Sequence, residues 1–209
     1  LVVNCGASHV SAAHFAVNGG TLVLEDFKAV DLDYDLSIED DWLHATVEAV
    51  KSLVGGGYKG QASLIAPGYQ LLTKTIKVPH VEPAKRQQII AFEAQQNIPY
   101  PLSEVVWDNQ VVADDGVETE VLLIAIKAEV INRFCQQMGR EGLTPSSVQA
   151  SSILDYNAYQ LNYGGEKDTL LVNIGARASN LLFMSEHGFF IRNIALGGNT
   201  LTQGLADSL

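Results

Sequence analysis

The chain has 209 residues, of which 47% are hydrophobic and 18% charged, a balance that fits a globular protein and is too apolar for intrinsic disorder. Its formal net charge of -11 argues against nucleic acid or anionic lipid as a direct partner. The two cysteines, Cys5 and Cys135, lie far apart without metal-ligand spacing, which argues against a disulfide framework or a zinc site. No apolar run approaches the roughly 20 residues of a membrane span, and no signal peptide is visible, so a cytoplasmic protein is expected.

The first third of the chain reads as short strands and one helix. Residues 39–53 have the spacing of an amphipathic helix, and three glycines at 55–57 are expected to end it. Asn18-Gly19-Gly20 predicts a tight turn. Apolar runs predict strands over 10–17, 21–27, 62–66 and 71–78. The apolar stripe of the helix is predicted to consist of Trp42, Ala45, Val50 and Leu53.

A different pattern begins at Pro79. Pro83 suits the first position of a helix, and Ile98-Pro99-Tyr100-Pro101 stops that helix firmly. Asp114-Asp115-Gly116 predicts a hairpin turn. The predicted elements are a helix over 83–97, strands over 105–112 and 120–126, and a helix over 128–140. The order helix, strand, strand, helix describes a compact inserted subdomain.

Beyond this module the sequence predicts a helix over 151–161, a connector over 163–168 and a final helix over 200–209. The chain opens at Leu1 inside an apolar strand pattern and stops at Leu209 within the last of these helices. We therefore expect the sequence to be part of a longer protein.

An internal repeat is the most informative feature of the sequence. Residues 3–8 (VNCGAS) return as residues 172–177 (VNIGAR). Each copy predicts a strand, a turn that contains Asn-x-Gly-Ala, a second strand, a second turn and a third strand. In the later copy, the second and third strands fall at 180–184 and 189–194, around a turn at 186–188. The spacing from Gly6 to Gly19 equals that from Gly175 to Gly188, which favours a duplicated α/β domain over a chance similarity of two hairpins.

The motifs of the middle module and its flanks carry a family resemblance. Residues 78–83 (VPHVEP) form a proline-rich entry, and residues 90–102 (IAFEAQQNIPYPL) form a helix with its stop signal. Residues 107–111 (WDNQV), 121–125 (VLLIA), 142–145 (GLTP) and 197–202 (GGNTLT) add further matches. Together with the repeated turns, these segments resemble the type IV pilus assembly protein PilM family of actin-like proteins over nearly the whole chain.

The resemblance implies an α/β, actin-like (ribonuclease H-like) fold of duplicated domains, with an inserted α+β subdomain of the 1C type and a missing C-terminal part. The cell-division protein FtsA shares this layout. The implied boundaries are 1–78 for the first part of subdomain 1A, 79–148 for subdomain 1C, 149–165 for the return to 1A and the connector, and 166–209 for a partial subdomain 2A.

The resemblance also implies a partner and a place in the cell. PilM-like proteins lie at the cytoplasmic face of the inner membrane, to which they are peripheral through their partners. They grip the N-terminal cytoplasmic tail of the membrane protein PilN in a groove between subdomains 1A and 1C. We therefore expect a scaffold that binds the tail of a PilN-like protein. Apolar positions also permit self-association, but the sequence does not place its interface.

The two repeated turns depart from the pattern of actin-like ATPases. There, an Asp before the Gly helps to hold Mg²⁺ and to position the attacking water, and here Asn4 and Asn173 stand in its place. The first loop of the PilM family continues as G-S-S-S-V-K, so a hydroxyl is lost at Ala7 and a cation at Ser11. Asn carries no charge and cannot act as a base. These changes predict a degenerate ATPase, with no catalytic or metal-ligating residue.

Two interpretations of the turns remain open. In the first, backbone amides still cradle a phosphate, so that ATP binds without hydrolysis. The candidate nucleotide-binding residues are then Asn4, Gly6, Ala7, Ser8, Asn173, Gly175 and Ala176. In the second, the turns belong to tight β-hairpins that need glycine. Ser8 and His9 are not expected to act as nucleophile and base, because neighbours in a strand point to opposite faces.

Three functional hypotheses follow. The first is the peptide-binding scaffold. The second is an active actin-like ATPase or small-molecule kinase. The third is a cytoplasmic domain like that of the type II secretion protein GspL, or a filament-forming protein like FtsA.

Overall fold

The computed structural model describes residues 1–35, 38, 40–163, 168–185 and 188–209. Glu39, most of the predicted connector (164–167) and the predicted turn residues 186–187 lie outside the described residues. None of the described helices is long and apolar enough to cross a membrane. In chain order the elements are β1 (Val2–Cys5), β2 (His9–Asn18), β3 (Thr21–Asp31), α1 (Asp41–Gly55), β4 (Gly60–Ala66), β5 (Leu72–Pro79), α2 (Pro83–Asn97), β6 (Val105–Asp114), β7 (Glu118–Lys127), α3 (Ala128–Arg140), β8 (Leu143–Ala150), α4 (Ser151–Tyr163), β9 (Thr169–Ile174), β10 (Ser179–Ser185), β11 (Gly188–Ile194) and α5 (Gly198–Ala206).

The elements form two compact units, residues 1–67 with 132–151 and residues 68–131 with 152–209. The first unit holds a five-stranded mixed sheet in the order β3-β2-β1-β4-β8. Strands β1, β2 and β3 are antiparallel neighbours, whereas β1, β4 and β8 run parallel. The first repeated turn and the turn at residues 18–20 join the antiparallel strands, whereas the parallel neighbours are joined by longer connections that contain helices.

Helix α1 packs against β2 and β3 and fills the core of the first unit. Three residues of the predicted stripe are buried and Ala45 is only half-buried, and the buried face is wider than predicted. The buried residues of α1 are Trp42, Leu43, Thr46, Ala49, Val50 and Leu53. On β1, burial raises the pKa of the Cys5 thiol to about 12, so this cysteine is a small protonated core residue.

Strand β8 is absent from the sequence prediction, because Pro145 and its serine neighbours do not read as a strand. It lies at the edge of the sheet, and among the described strands it pairs with β4 alone. The pairing shifts by one residue there, since Ala62 pairs with Pro145 and Ser63 pairs with Ser147. An edge strand with a bulge tolerates proline, because the missing N–H is not needed by a second neighbour.

The second unit holds two three-stranded antiparallel sheets, β5-β7-β6 and β11-β10-β9. Helix α2 packs on the first of these sheets, and its Ile90 and Ala94 are fully buried. Phe92, on another side of the same helix, is 61% exposed. The apolar core under α2 includes Ile76, Val78, Val121, Leu123 and Ala125.

Most predicted elements are confirmed with small shifts at their ends. Helices α2 and α3 have the predicted bounds, and β3 runs to Asp31 instead of residue 27. The final helix spans Gly198–Ala206 and not 200–209, with Asp207 as its C-cap. It starts earlier than predicted because the amides of Gly198 and Asn199 find backbone acceptors outside the helix.

Candidate functional site

The first repeated turn joins β1 to β2 and is closed by a hydrogen bond from the Gly6 amide to the His9 carbonyl oxygen (3.0 Å). A Cβ atom at Gly6 would lie only 2.9 Å from that oxygen, so the turn requires glycine for space. Asn4, directly before the turn, pairs with Ser11 of β2 and lies beside Ile65 of β4.

The second repeated turn joins β9 to β10 with the same geometry. The Gly175 amide donates to the Ala178 carbonyl oxygen at 3.0 Å, and a Cβ at Gly175 would also lie 2.9 Å from its acceptor. Asn173 pairs with Asn180 of β10, as Asn4 pairs with Ser11. The duplication predicted from the sequence is confirmed by these matched turns and by the two three-stranded meanders that contain them.

The carbonyl oxygens of the first turn accept hydrogen bonds from side chains and backbone amides of the same unit. The Trp42 indole donates to the Gly6 oxygen at 2.9 Å, and the Tyr34 hydroxyl donates to the Ala7 oxygen at 2.7 Å. In the described part of the chain, no carbonyl accepts from the amides of Ala7 or Ser8. These two amides are therefore the donors that this turn can offer to an anion.

The carbonyl oxygens of the second turn are occupied by the N-terminus of α5. The amides of Gly198 and Asn199 donate to the oxygens of Gly175 (2.9 Å) and Ala176 (3.0 Å). A Cβ at Gly197 would lie 2.5 Å from the Ala176 carbonyl, so this close approach depends on glycine. These first-turn donors of α5 are satisfied within the protein, which leaves them unavailable to a phosphate.

Asn173 pairs with the Asp155 carboxylate of α4. The side-chain nitrogen Nδ2 of Asn173 lies 3.0 Å from Asp155 Oδ1 and 2.9 Å from Oδ2. The Nδ2 atom of Asn180 lies 3.4 Å from Asp155 Oδ2. Asn193 extends this network to Asn180 (3.0 Å) and to the Gly68 carbonyl oxygen (2.9 Å). An Asp at position 173 would face Asp155 as a like charge, so the asparagine fits this environment without a cation.

No group of His, Cys, Asp and Glu side chains that could hold a metal ion occurs among the described residues. The expectation that the Ser8 and His9 side chains point to opposite faces is wrong. The Ser8 hydroxyl lies 3.2 Å from His9 Nδ1, because Ser8 belongs to the turn and not to the strand, so the two side chains can meet.

A cavity of about 440 Å³ lies within the second unit. Its wall combines the apolar side chains of Leu72, Val105 and Val130 with the rings of Tyr69 and Tyr100. Lys127 supplies a cation at the rim, with Nζ 4.9 Å from the centroid of the Tyr100 ring. A lining of apolar and aromatic side chains with a single charged group is typical of ligand sites in proteins.

Tyr100 also lines a second, open cavity of about 540 Å³ together with Ile98, Pro99 and Pro101. The turn that stops α2 therefore contributes to both cavities. This turn carries part of the family resemblance in the sequence, whereas Tyr69 and Lys127 carry no sequence signal of their own. Tyr69 precedes β5 and Lys127 is the last residue of β7. Neither belongs to a motif, so only the fold brings them near Tyr100.

The paired meanders, their glycine turns and the inserted three-stranded sheet define an actin-like ATPase fold. Two solved structures support this class. A structure of the PilM-PilN type IV pilus biogenesis complex is 20% identical, with 99% of this chain and 64% of that chain covered and a TM-score of 0.79. The cytoplasmic domain of EpsL, an inner membrane component of the type II secretion system of Vibrio cholerae, is 8% identical, with coverages of 98% and 74% and a TM-score of 0.58.

The sequence of the chain identifies its family. The profile of the type IV pilus assembly protein PilM family matches residues 3–209, and the chain belongs to that family. No curated protein sequence matches the chain. The chain spans 64% of the length of the similar chain in the PilM-PilN complex.

Proposed function

We propose that this chain is an actin-fold scaffold of a type IV pilus assembly complex, that it binds the cytoplasmic N-terminal tail of a PilN-like membrane protein, and that it does not hydrolyse ATP. Family membership over residues 3–209 and the fold shared with a protein of a PilM-PilN complex support this proposal. It places the chain in the cytoplasm at the inner face of the inner membrane, held there by its partner.

The single observation that carries the binding proposal is the cavity beside Tyr100. Leu72, Val105 and Val130 offer an apolar wall for an apolar residue of the tail, and Lys127 can donate to a carbonyl or carboxylate of the same segment. A tail that enters the cavity would cover the exposed part of Tyr100, which is 41% exposed in the free chain. Buried aromatic anchors of this kind often dominate the energy of an interface.

A peptide of the N-terminal tail of the PilN-like partner tests the proposal by fluorescence anisotropy. The wild-type chain should show saturable binding, and Tyr100→Ala should weaken it by at least about tenfold, as expected for an aromatic anchor. Phe92→Ala is the matched control, because this aromatic residue is exposed on α2 and lines neither cavity. Absence of binding at high peptide concentration, or equal losses in both variants, would refute it.

The proposed lack of hydrolysis is supported by the two turns. Asn4 and Asn173 bring no carboxylate, and the Asp155 carboxylate that Asn173 contacts is engaged by that side-chain amide. The amides of Ala7 and Ser8 leave room for a nucleotide phosphate bound without turnover. Mg²⁺-dependent ATP turnover that disappears in Asn173→Ala would instead favour the ATPase or kinase hypothesis.

A further inference from the structure

The ring of Tyr69, which forms part of the cavity wall beside Tyr100, is covered by a cation. The guanidinium carbon of Arg177 lies 4.4 Å from the centroid of the Tyr69 ring. This distance is well inside the roughly 6 Å over which a cation attracts an aromatic face. Both residues belong to the second unit. Among the described residues, Tyr69 lines the cavity and Arg177 does not. The guanidinium therefore supports the ring from outside the cavity.

Arg177 belongs to the second repeated turn, whose backbone is fixed on both sides of it. The Gly175 amide donates to the Ala178 carbonyl oxygen at 3.0 Å, and the N-terminus of α5 holds the Ala176 carbonyl oxygen. Among the described residues, no carboxylate lies within ion-pair distance of the Arg177 guanidinium. In this part of the chain, no ion pair therefore competes with the aromatic ring for the cation.

The backbone at Tyr69 is held separately from its ring. Tyr69 lies in a short 3-10 turn, Gly68–Gln70. The side chain of Asn193 on β11 donates to the Gly68 carbonyl oxygen at 2.9 Å, and the Leu71 amide donates to the same oxygen at 3.1 Å. These hydrogen bonds fix the turn but not the rotamer of the tyrosine. The rotamer depends on contacts of the ring itself, and Arg177 supplies one of them.

A side chain that is ordered before a peptide enters loses no rotamer freedom on binding, and this raises the affinity. We propose that Arg177 is a positioning residue, which holds the Tyr69 ring in the orientation that contacts the bound tail. This inference rests on the proposed peptide-binding function. It gives the second repeated turn a role in binding that the first turn cannot have, because Ser8, at the matching position, carries no cation.

Fluorescence anisotropy with the N-terminal tail peptide of the PilN-like partner tests the role of the charge. Arg177→Gln removes the charge and should weaken binding about threefold to tenfold, within the range of one partly buried cation–π interaction. Arg177→Lys keeps a cation and should retain most of the affinity. Arg192→Gln is the matched control, because Arg192 also lies over an aromatic ring, that of Phe190 at 5.5 Å. Neither residue is among the described residues that line the cavity.

A double-mutant cycle shows whether Arg177 acts through Tyr69. In a Tyr69→Leu background, Arg177→Gln should cause no further loss of affinity, because the cation then has no ring to hold. The same loss in both backgrounds would overturn the proposal, as would equal affinities of the wild type and Arg177→Gln. A wild-type chain that binds no peptide would instead refute the proposed function, and the inference would fall with it.

Fluorine NMR of the chain labelled with fluorotyrosine follows the ring without any peptide. The signal that is missing from Tyr69→Phe belongs to Tyr69. Arg177→Gln should shift this signal, because the guanidinium no longer lies over the ring, whereas Arg192→Gln should leave it in place. An unchanged Tyr69 signal in Arg177→Gln would show that Arg177 does not position the ring, whether or not the peptide binds.

Discussion

The first turn requires glycine at position 6, because a residue with a Cβ atom does not fit there. An added Cβ would press on the His9 carbonyl oxygen at 2.9 Å, and this atom belongs to the backbone and cannot swing aside. Gly6→Ala should lower the free energy of unfolding by about 1–3 kcal/mol, as overpacking does. Gly139→Ala is the control, because open space surrounds this helical glycine and alanine should stabilise the chain by up to about 1 kcal/mol. Urea denaturation measures the free energy of unfolding of both variants. An unchanged free energy of unfolding in Gly6→Ala would contradict the steric role of Gly6.

Glu120 is a buried carboxylate that joins the two sheets of the second unit. It is 7% exposed, and its Oε2 accepts from the Phe189 amide at 2.6 Å, while Lys77 Nζ lies 3.1 Å from Oε1. Glu120→Ala leaves a buried amide without its acceptor and should cost about 1–3 kcal/mol of stability. Glu118→Ala, which removes an exposed carboxylate 3.6 Å from the same lysine, should cost much less. Equal losses in urea denaturation would show that the amide contact is unimportant.

At the scale of elements, the β6–β7 hairpin should respond to acid. The Gly116 amide and the Thr119 hydroxyl hold the pKa of Asp114 below its ordinary value of 3.8, and the amides of Glu118 and Val117 do the same for Asp115. A pKa lowered by folding stabilises the folded state fully above about pH 4. This stabilisation is lost as the pH falls through the folded-state pKa.

The free energy of unfolding, measured by urea denaturation between pH 6 and pH 3, checks this prediction. Wild-type stability should fall below about pH 4, and Asp114→Asn should start lower and fall less steeply. Lys77→Ala is not a suitable control, because that lysine also contacts Glu120. Parallel pH curves for the wild type and Asp114→Asn would contradict the assignment.

Elements with a local signal could be predicted from the sequence, and those defined by distant contacts could not. Helix α2 has Pro83 at its start and the Ile98-Pro99 stop at its end, so its bounds were readable. Strand β8 has no such signal, because only its partner β4 makes a strand of a segment that contains Pro145. The start of α5 depends on acceptors at Gly175 and Ala176, more than twenty residues earlier in the chain.

The candidate site divides in the same way. The Asn-x-Gly-Ala turns could be predicted because the glycine spacing repeats. Gly6 and Gly175 are both needed because a Cβ atom would lie too close to a backbone carbonyl oxygen. The contact between Asn173 and Asp155 could not be predicted from the sequence, since α4 and β9 meet only in the folded unit. Tyr69 and Lys127 reach the cavity by the same kind of long-range packing.

At the scale of the whole molecule, we propose that the chain keeps the fold of an ATPase without its activity. The chain keeps the duplicated meanders and the glycine turns of its class, and the family match covers residues 3–209. It lacks aspartate at positions 4 and 173, where its class supplies the charges for Mg²⁺. We therefore propose that this architecture serves partner binding, with the inserted module as the element that recognises the tail.

Hydrogen–deuterium exchange with and without the N-terminal peptide of the PilN-like partner tests the central claim most directly. We expect slower exchange on peptide addition around 69–72, 98–103 and 125–130, the segments that line the cavities beside Tyr100. Exchange in β3 should not change. Unchanged exchange in these three segments at saturating peptide, or protection confined to the first unit, would contradict it.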